Sequence, residues 1–220
     1  VGRDVDRRDD QREARRAEES ERGGLPPAEA TEPEERRRAA DDEQEHEALW
    51  WETCLGFAGP LEMARQLLND TDPNTYKAAR IMALMALTQA DAMISNVNSK
   101  NYYNFWRPFT AIEFSHPGGE WDPFLVTPSN QEYPAGHPMV SGAGFHALAA
   151  FFGYAPLPHP IVGASCGGIE YPSLGATIQG VIDGRVWGGM HFRNSGEVGS
   201  EVGLEIATYV RHHFLRKLDD

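Results

Sequence analysis

Three short basic clusters carry the residues that could do chemistry in this chain. Lys100 and Arg107 stand seven residues apart in Lys100-Asn-Tyr-Tyr-Asn-Phe-Trp-Arg107-Pro108. Gly136 and His137 lie in Tyr133-Pro134-Ala135-Gly136-His137-Pro138, and Arg185 and His191 flank Gly188-Gly189. One lysine, two arginines, two histidines and a glycine N–H suit a tetrahedral or trigonal-bipyramidal oxyanion. The cations neutralise charge spread over its oxygens, while one imidazole binds and the other moves a proton. A divalent cation would ask for grouped carboxylates or histidines instead. Each cluster alone also reads as ordinary structure: a helix end with snorkelling cations, or a histidine near a helix start. Their chemistry is redundant unless it is shared, so we expect all six residues in one pocket.

The elements that must position them read as helices. Asn74 or Thr75 can cap a long helix through Tyr76, Met82, Met85 and Ala90, with apolar positions around most of its circumference. Continued through the first cluster, that helix would set Lys100 and Arg107 on nearly one face, about 10 Å apart, until Pro108 ends or bends it. Asp91 on it is a candidate buried carboxylate or an exposed acid with equal claim. Shorter helices are expected at 49–56, 61–68 and around Ala111-Ile112. The irregular passage from Ser115 to Pro138 is long for a compact domain, and active-site coverage is the usual reason for one. Helical spacing returns from Val140 to Phe152, where Ser141, Gly142, Ala143 and Gly144 would permit close helix contact. A turn-rich connector at 154–160 follows. Ser173 can cap a helix through Ile178 and Ile182 to Arg185, interrupted by Gly188-Gly189, whose freedom would bring Arg185 and His191 to one centre. The last helix is expected to start at Asn194 with Glu197 as capping partner, to carry a stripe of Val198, Val202, Ile206 and Val210, and to end near Lys217. No stretch alternates with period two for long enough to claim a sheet. The expected fold is all-α, a helical bundle around the long central helix.

Residues 1–48 differ in kind: charged runs such as Glu32-Pro33-Glu34-Glu35-Arg36-Arg37-Arg38 leave almost nothing apolar except Leu25. Such a segment cannot offset its ordering entropy by burial, so 1–48 reads as a charged, disordered or loosely helical tail and 49–220 as one helical domain. A net charge of -13 over 220 residues argues against nucleic acid as a partner, and any anion site must be built locally. The apolar run from Ile81 to Leu87 is far short of a bilayer span. A chain beginning at Val1 leaves its start, and its compartment, open. Cys54 and Cys166 are too few for a disulfide framework, though one bridge between them is feasible.

Taken together, the clusters resemble the vanadium-dependent haloperoxidase and type 2 phosphatidic acid phosphatase superfamily, whose signature is K-x6-RP, then PSGH, then SR-x5-H-x3-D. Residues 100–108 match the first motif completely. Pro134-Ala135-Gly136-His137 matches the second with Ala for Ser. Gly184-Arg185 through His191 matches the third, with Gly for the leading Ser and Ser195 in place of the terminal Asp. The match covers about 100 residues, and its wording is closer to the soluble bacterial haloperoxidase-like branch. The resemblance implies that His191 binds the vanadium of vanadate, or attacks phosphorus to form a phosphohistidine. It implies that Lys100, Arg107, Arg185 and the Gly136 N–H hold the oxyanion's oxygens, and that His137 is the acid–base group. The function so implied is a vanadate-dependent haloperoxidase that uses hydrogen peroxide to oxidise halide. A soluble acid phosphatase acting on a phosphate ester is the alternative, and a non-catalytic oxyanion-binding member a third reading. Ala135 removes a hydroxyl donor to the oxyanion. Ser195 removes the acid that would orient His191, unless Glu197 stands in for it.

Overall fold

The computed structural model describes residues 32–118, 121–154, 161–162 and 169–216. Helix α1 (Glu32–Trp50) leads through a π turn (Trp51–Leu55) and a 3-10 turn (Gly56–Ala58) into α2 (Gly59–Thr71). There follow α3 (Thr75–Tyr103), α4 (Pro108–Ser115), α5 (Gly136–Phe152), α6 (Leu174–Trp187) and α7 (Arg193–His213). Between α5 and α6 lies a two-residue antiparallel ladder of β1 (Ile161–Val162) and β2 (Glu170–Tyr171). The fold is all-α, a helical bundle. Residues 1–31, Cys166 with its expected link to Cys54, the 155–160 connector and Lys217 lie outside the described residues.

Capping chemistry sets α3 and α6 as expected. The Asn74 side chain accepts from Lys77 N at 2.9 Å, and Ser173 Oγ accepts from Ala176 N at 3.1 Å. Helix α3 is the longest and packs on α2, α5 and α7, while Ile94 and Val97 on it remain exposed. Asp91 is exposed. Helix α5 makes the most extensive contacts, chiefly with α7 and α3, and is buried from Pro138 through Phe145. Its close fit to α7 is made by small residues. A Cβ at Gly203 would stand 2.7 Å from Met139 O and 3.0 Å from Ala143 N, so the backbones meet where a side chain would not fit.

That contact corrects the expected face of α7. The buried stripe is Ser195, Gly196, Gly199, Ser200, Gly203, Ala207 and Val210, whereas Val198, Val202 and Ile206 are only half-buried at its edge. Backbone proximity, which hydrophobicity does not encode, chose the face. The helix also starts earlier than expected, with Phe192 at the cap position and no side-chain cap, and it ends at His213.

The compact unit that holds the bundle begins at Asp41, and α1 runs without a break through the boundary expected between 48 and 49. Ala48, Trp50 and Trp51 are buried. Trp51 Nε1 donates to the Tyr171 hydroxyl at 2.9 Å, and that hydroxyl donates to Glu47 Oε1. Burial raises the pKa of both Glu47 and Tyr171.

Candidate functional site

The first cluster is not one helix. Asn104 takes a left-handed conformation (φ 44°) and ends α3 at Tyr103, with Lys100 in the last turn. Arg107 is then the N-cap of α4, and Pro108 is its first residue. The proline therefore starts a helix rather than ending one. The seven-residue spacing joins the end of α3 to the start of α4, and both cations turn inward. Lys100 Nζ donates to the carbonyls of Gln131 and Glu132, the latter at 2.9 Å. Arg107 donates from Nε to Asn130 O at 3.1 Å, from Nη2 to Asn130 Oδ1 at 2.8 Å and from Nη1 to Met190 O at 2.8 Å. The loop expected to cover an active site thus lies directly on these cations.

The third cluster meets them from the far side. Arg185 occupies the last turn of α6, and Gly189 then reverses the chain with φ +74°. A Cβ at that position would be strained, and it would also stand 3.0 Å from Pro123 Cα. The reversal delivers His191 to Arg107, whose Nη1 lies 2.9 Å from His191 Nε2. On its other edge, His191 Nδ1 is 2.8 Å from Glu132 Oε1. A guanidinium can only donate, so Nε2 presents its lone pair and the ring proton sits on Nδ1, donated to the carboxylate. The same Glu132 oxygen accepts from Phe192 N at 3.1 Å and covers the start of α7 in the absence of a capping side chain. Asn194 does not cap, and Glu197 is exposed, so it does not stand in for the missing acid.

The second cluster forms the first turn of α5, not a lead-in to it: Gly136 and His137 are its first two residues, and Pro138 the third. Their amides have no helical acceptor and carry the positive end of the helix. Gly136 is closely approached, since a Cβ there would stand 3.3 Å from Asn96 Oδ1 and 3.8 Å from Phe57 Cζ. Asn96, from α3, fixes the turn by donating to Pro134 O at 3.0 Å. The His137 ring stacks on Phe57 with centroids 4.3 Å apart and planes 17° apart.

Electrostatics tie the three clusters together. Lys100, Arg107 and Arg185 are all at most 6 % exposed. Burial, then repulsion from Arg107, lowers the Lys100 pKa to about 8. Burial and the neighbouring Arg185 lower Arg107 to about 10, against the pull of Glu132. His137 is pushed down to about 2, first by burial and then by Arg185, His191 and Lys100. His191 is held well below its ordinary value by burial, Arg107, Lys100 and Arg185. Burial raises Glu132. Three buried cations face Glu132 and Glu52, the latter bound to Arg185 Nη1 at 2.5 Å and 39 % exposed. Positive charge is in excess, and Arg185 Nε is buried without a partner among the described residues. Both features, with the Gly136 cradle, fit an oxyanion such as phosphate or vanadate. At Ala135, fully buried before the turn, no side-chain hydroxyl is available.

Sequence reasoning missed Glu132, Asn130, Asn96, Glu52 and Phe57. The one signal for the first two was the long irregular passage itself. Nothing in local pattern marked Asn96, Glu52 or Phe57, which act from positions remote in sequence.

A family model described as the VCPO second helical-bundle domain matches residues 80–220. Among solved structures, the chain is similar to a bacterial vanadium-dependent iodoperoxidase, with 26 % identity and a TM-score of 0.73 over 84 % of this chain and 47 % of that one. It also shares its fold with a bacterial vanadium-dependent chloroperoxidase in the apo form, with 18 % identity and a TM-score of 0.58 over 86 % of this chain and 51 % of the other. The holo form gives 16 % identity and 0.57 over 86 % and 50 %. The chain thus spans about half the length of these relatives. No curated protein matches it. Among the described residues, no helix is long and apolar enough to cross a membrane.

Proposed function

The chain belongs to the vanadium haloperoxidase superfamily through its VCPO second helical-bundle domain, and from that premise we propose that it binds vanadate and uses hydrogen peroxide to oxidise halide. The observation that carries this reading is the His191 ring. Its Nε2 lone pair is turned inward among three buried cations by the carboxylate behind it. Lys100, Arg107, Arg185 and the Gly136 N–H hold the oxyanion's oxygens, and His191 Nε2 is the ligand to vanadium. Bound vanadate supplies the Lewis acidity that makes peroxide reactive toward halide. His137, kept neutral by burial and the cations around it, would take a proton from incoming hydrogen peroxide once the bound anion offsets those charges, and Phe57 keeps its ring in place.

The same geometry favours a second reading, phosphomonoester hydrolysis. Loss of the acid at position 195 argues against an oriented nucleophile, but Glu132 supplies a carboxylate to His191 from elsewhere. In that reaction the Nε2 lone pair attacks phosphorus and the ester P–O bond breaks, while His137, which takes up a proton once the ester's negative charge offsets the cations around it, gives that proton to the leaving alkoxide. Water then cleaves the P–N bond.

The test reconstitutes the full chain with orthovanadate and supplies peroxide, bromide and a phenolic dye. The expected result is dye bromination, inhibited competitively by phosphate, with slow or no hydrolysis of p-nitrophenyl phosphate in the absence of vanadate. Fast, vanadate-inhibited ester hydrolysis without halogenation would reverse the ranking. Silence in both assays, with vanadate bound, would leave oxyanion binding alone.

A further inference from the structure

We propose that Glu132, together with Ser195, is the positioning residue of His191, replacing an acid at position 195 with one contributed by the loop before α5. The inference rests on reading His191 as the residue that faces the oxyanion. Glu132 is fully buried, and its backbone is anchored by its N–H to Phe105 O at 3.0 Å and by its carbonyl accepting from Lys100. Its Oε1 takes the Nδ1 proton of His191 and the N–H of Phe192, two donors from adjacent residues of one strand of chain. A carboxylate so held fixes both the tautomer and the rotation of the ring.

Ser195 completes the arrangement. It lies in the first turn of α7, 1 % exposed, with its carbonyl accepting from Ala135 N at 3.1 Å. Its hydroxyl lies close enough to the Glu132 carboxylate to oppose the rise in its pKa, yet Ser195 Oγ and Glu132 Oε2 are both buried without a hydrogen bond among the described residues. A carboxylate at 195 would meet the Glu132 carboxylate at this point, and two like charges in one buried place are costly. A hydroxyl there adds no charge and is free to turn its proton to the carboxylate. The Ser at 195 and the Glu at 132 are therefore one feature: the acid has moved, and a neutral hydroxyl stands in its former position. On the outer side of the pair, a cavity of about 540 Å³ lined by Tyr103, Phe105, Tyr133, Phe192, Glu132 and Ser195 leaves room for a longer side chain at 195.

The test follows the His191 ring in the vanadate-free full chain by long-range proton–nitrogen correlation with labelled histidine, assigned by loss of the signal in His191→Gln. In parallel, binding of inorganic phosphate is measured by calorimetry. The wild type should show His191 protonated at Nδ1, with a slowly exchanging downfield proton. Glu132→Ala should lose that proton, mix the tautomers and weaken phosphate tenfold or more. Glu132→Gln, which can still accept, should keep the tautomer with the proton moved upfield and guards against a folding failure of the alanine variant. Ser195→Asp should be harmful in the wild type but restore the Nδ1 proton and phosphate binding in Glu132→Ala. An unchanged His191 signal in both Glu132 variants would overturn the proposal. So would an effect of Ser195→Asp that does not depend on residue 132. Neither readout involves turnover, so a chain that fails to halogenate yet shows this coupling rejects the proposed reaction and keeps the positioning role.

Discussion

The two histidines of the site lie in the same positive field but are opposite in support. His191 is gripped at both nitrogens, by a carboxylate on one side and a guanidinium on the other. His137 has no hydrogen-bond partner among the described residues, only the face of Phe57 and the near approach of Gly56, where an added Cβ would stand 3.6 Å from His137 Nε2. A ring with its tautomer fixed is suited to be a ligand or nucleophile, because its lone pair must always point one way. A ring held by stacking keeps both nitrogens available, which a group that accepts and returns protons requires. Burial first, and then the same cations, depresses both pKa values, so hydrogen-bond support, not charge, divides their labour.

Substitution of each histidine gives the largest expected effects. His191→Ala should abolish vanadate binding and turnover together. His137→Ala should leave vanadate affinity within a few-fold while turnover falls by about 10²-fold or more. Equilibrium dialysis with vanadate beside the bromination assay reads the two quantities separately. Equal loss of binding in both variants would erase the contrast.

That contrast was only partly legible in the sequence. Histidine identities and the order of the three clusters pointed to one oxyanion site, because glycines and spacing survive in the linear text. Helix starts at Asn74 and Ser173 were readable for the same reason: a cap needs only its neighbours. What could not be read was tertiary. The Lys100–Arg107 spacing fitted one helix as well as two, and the left-handed turn fell on Asn104 rather than on a glycine. The support of each ring comes from residues 59 and 80 positions away, Glu132 for His191 and Phe57 for His137. The buried face of α7 was misread because close backbone contact selects glycine and serine, which hydrophobic periodicity ignores.

Lys100 belongs to the gripped half, and its pKa of about 8, below the ordinary 10.5, gives a pH signature. Between these values the unfolded chain binds the proton that the folded chain has released, so the anion-free protein should gain stability as pH rises through that window. Phosphate affinity should move the other way, falling by up to about tenfold per pH unit above 8, because Lys100 must regain a proton to bind. Melting curves with and without saturating phosphate from pH 7 to 10 measure both slopes. Lys100→Met should flatten them, and a residual slope in that variant would assign the proton to another group.

Glu52 tests the charge of the loosely held half. It neutralises Arg185 from the solvent side, through a contact at 2.5 Å. Glu52→Gln should tighten phosphate about three- to tenfold by restoring a full positive charge to Arg185, since part-exposed pairs couple by roughly 1 kcal/mol. The same change leaves Arg185 buried with less compensation, so a lower melting temperature without ligand is expected beside the tighter binding. Weaker phosphate binding would mean that Glu52 aims the guanidinium rather than competes for it.

The smallest effect on binding is expected from shortening the chain. The loosely held half hangs on the N-terminal elements: Glu52 lies in the π turn and Phe57 in the 3-10 turn that follow α1 directly. The gripped half is carried by α3, the loop before α5, and the junction of α6 with α7. A chain starting at Asp41 keeps every described contact of the compact unit and should match the full chain in melting and in phosphate affinity. A chain starting at Leu49, where the charged segment ends in the sequence, lacks Glu47, the acceptor for the Tyr171 hydroxyl, and the buried Ala48. It should melt lower, by an amount consistent with one lost buried hydrogen bond and some packing, about 1–3 kcal/mol. Phosphate affinity should barely change, because Glu132 and Arg107 still hold His191. Turnover should fall more than affinity, because the Phe57 face that holds His137 has lost part of its anchorage. Loss of binding in step with turnover would show that the two halves are one cooperative unit, with no separation of support to explain.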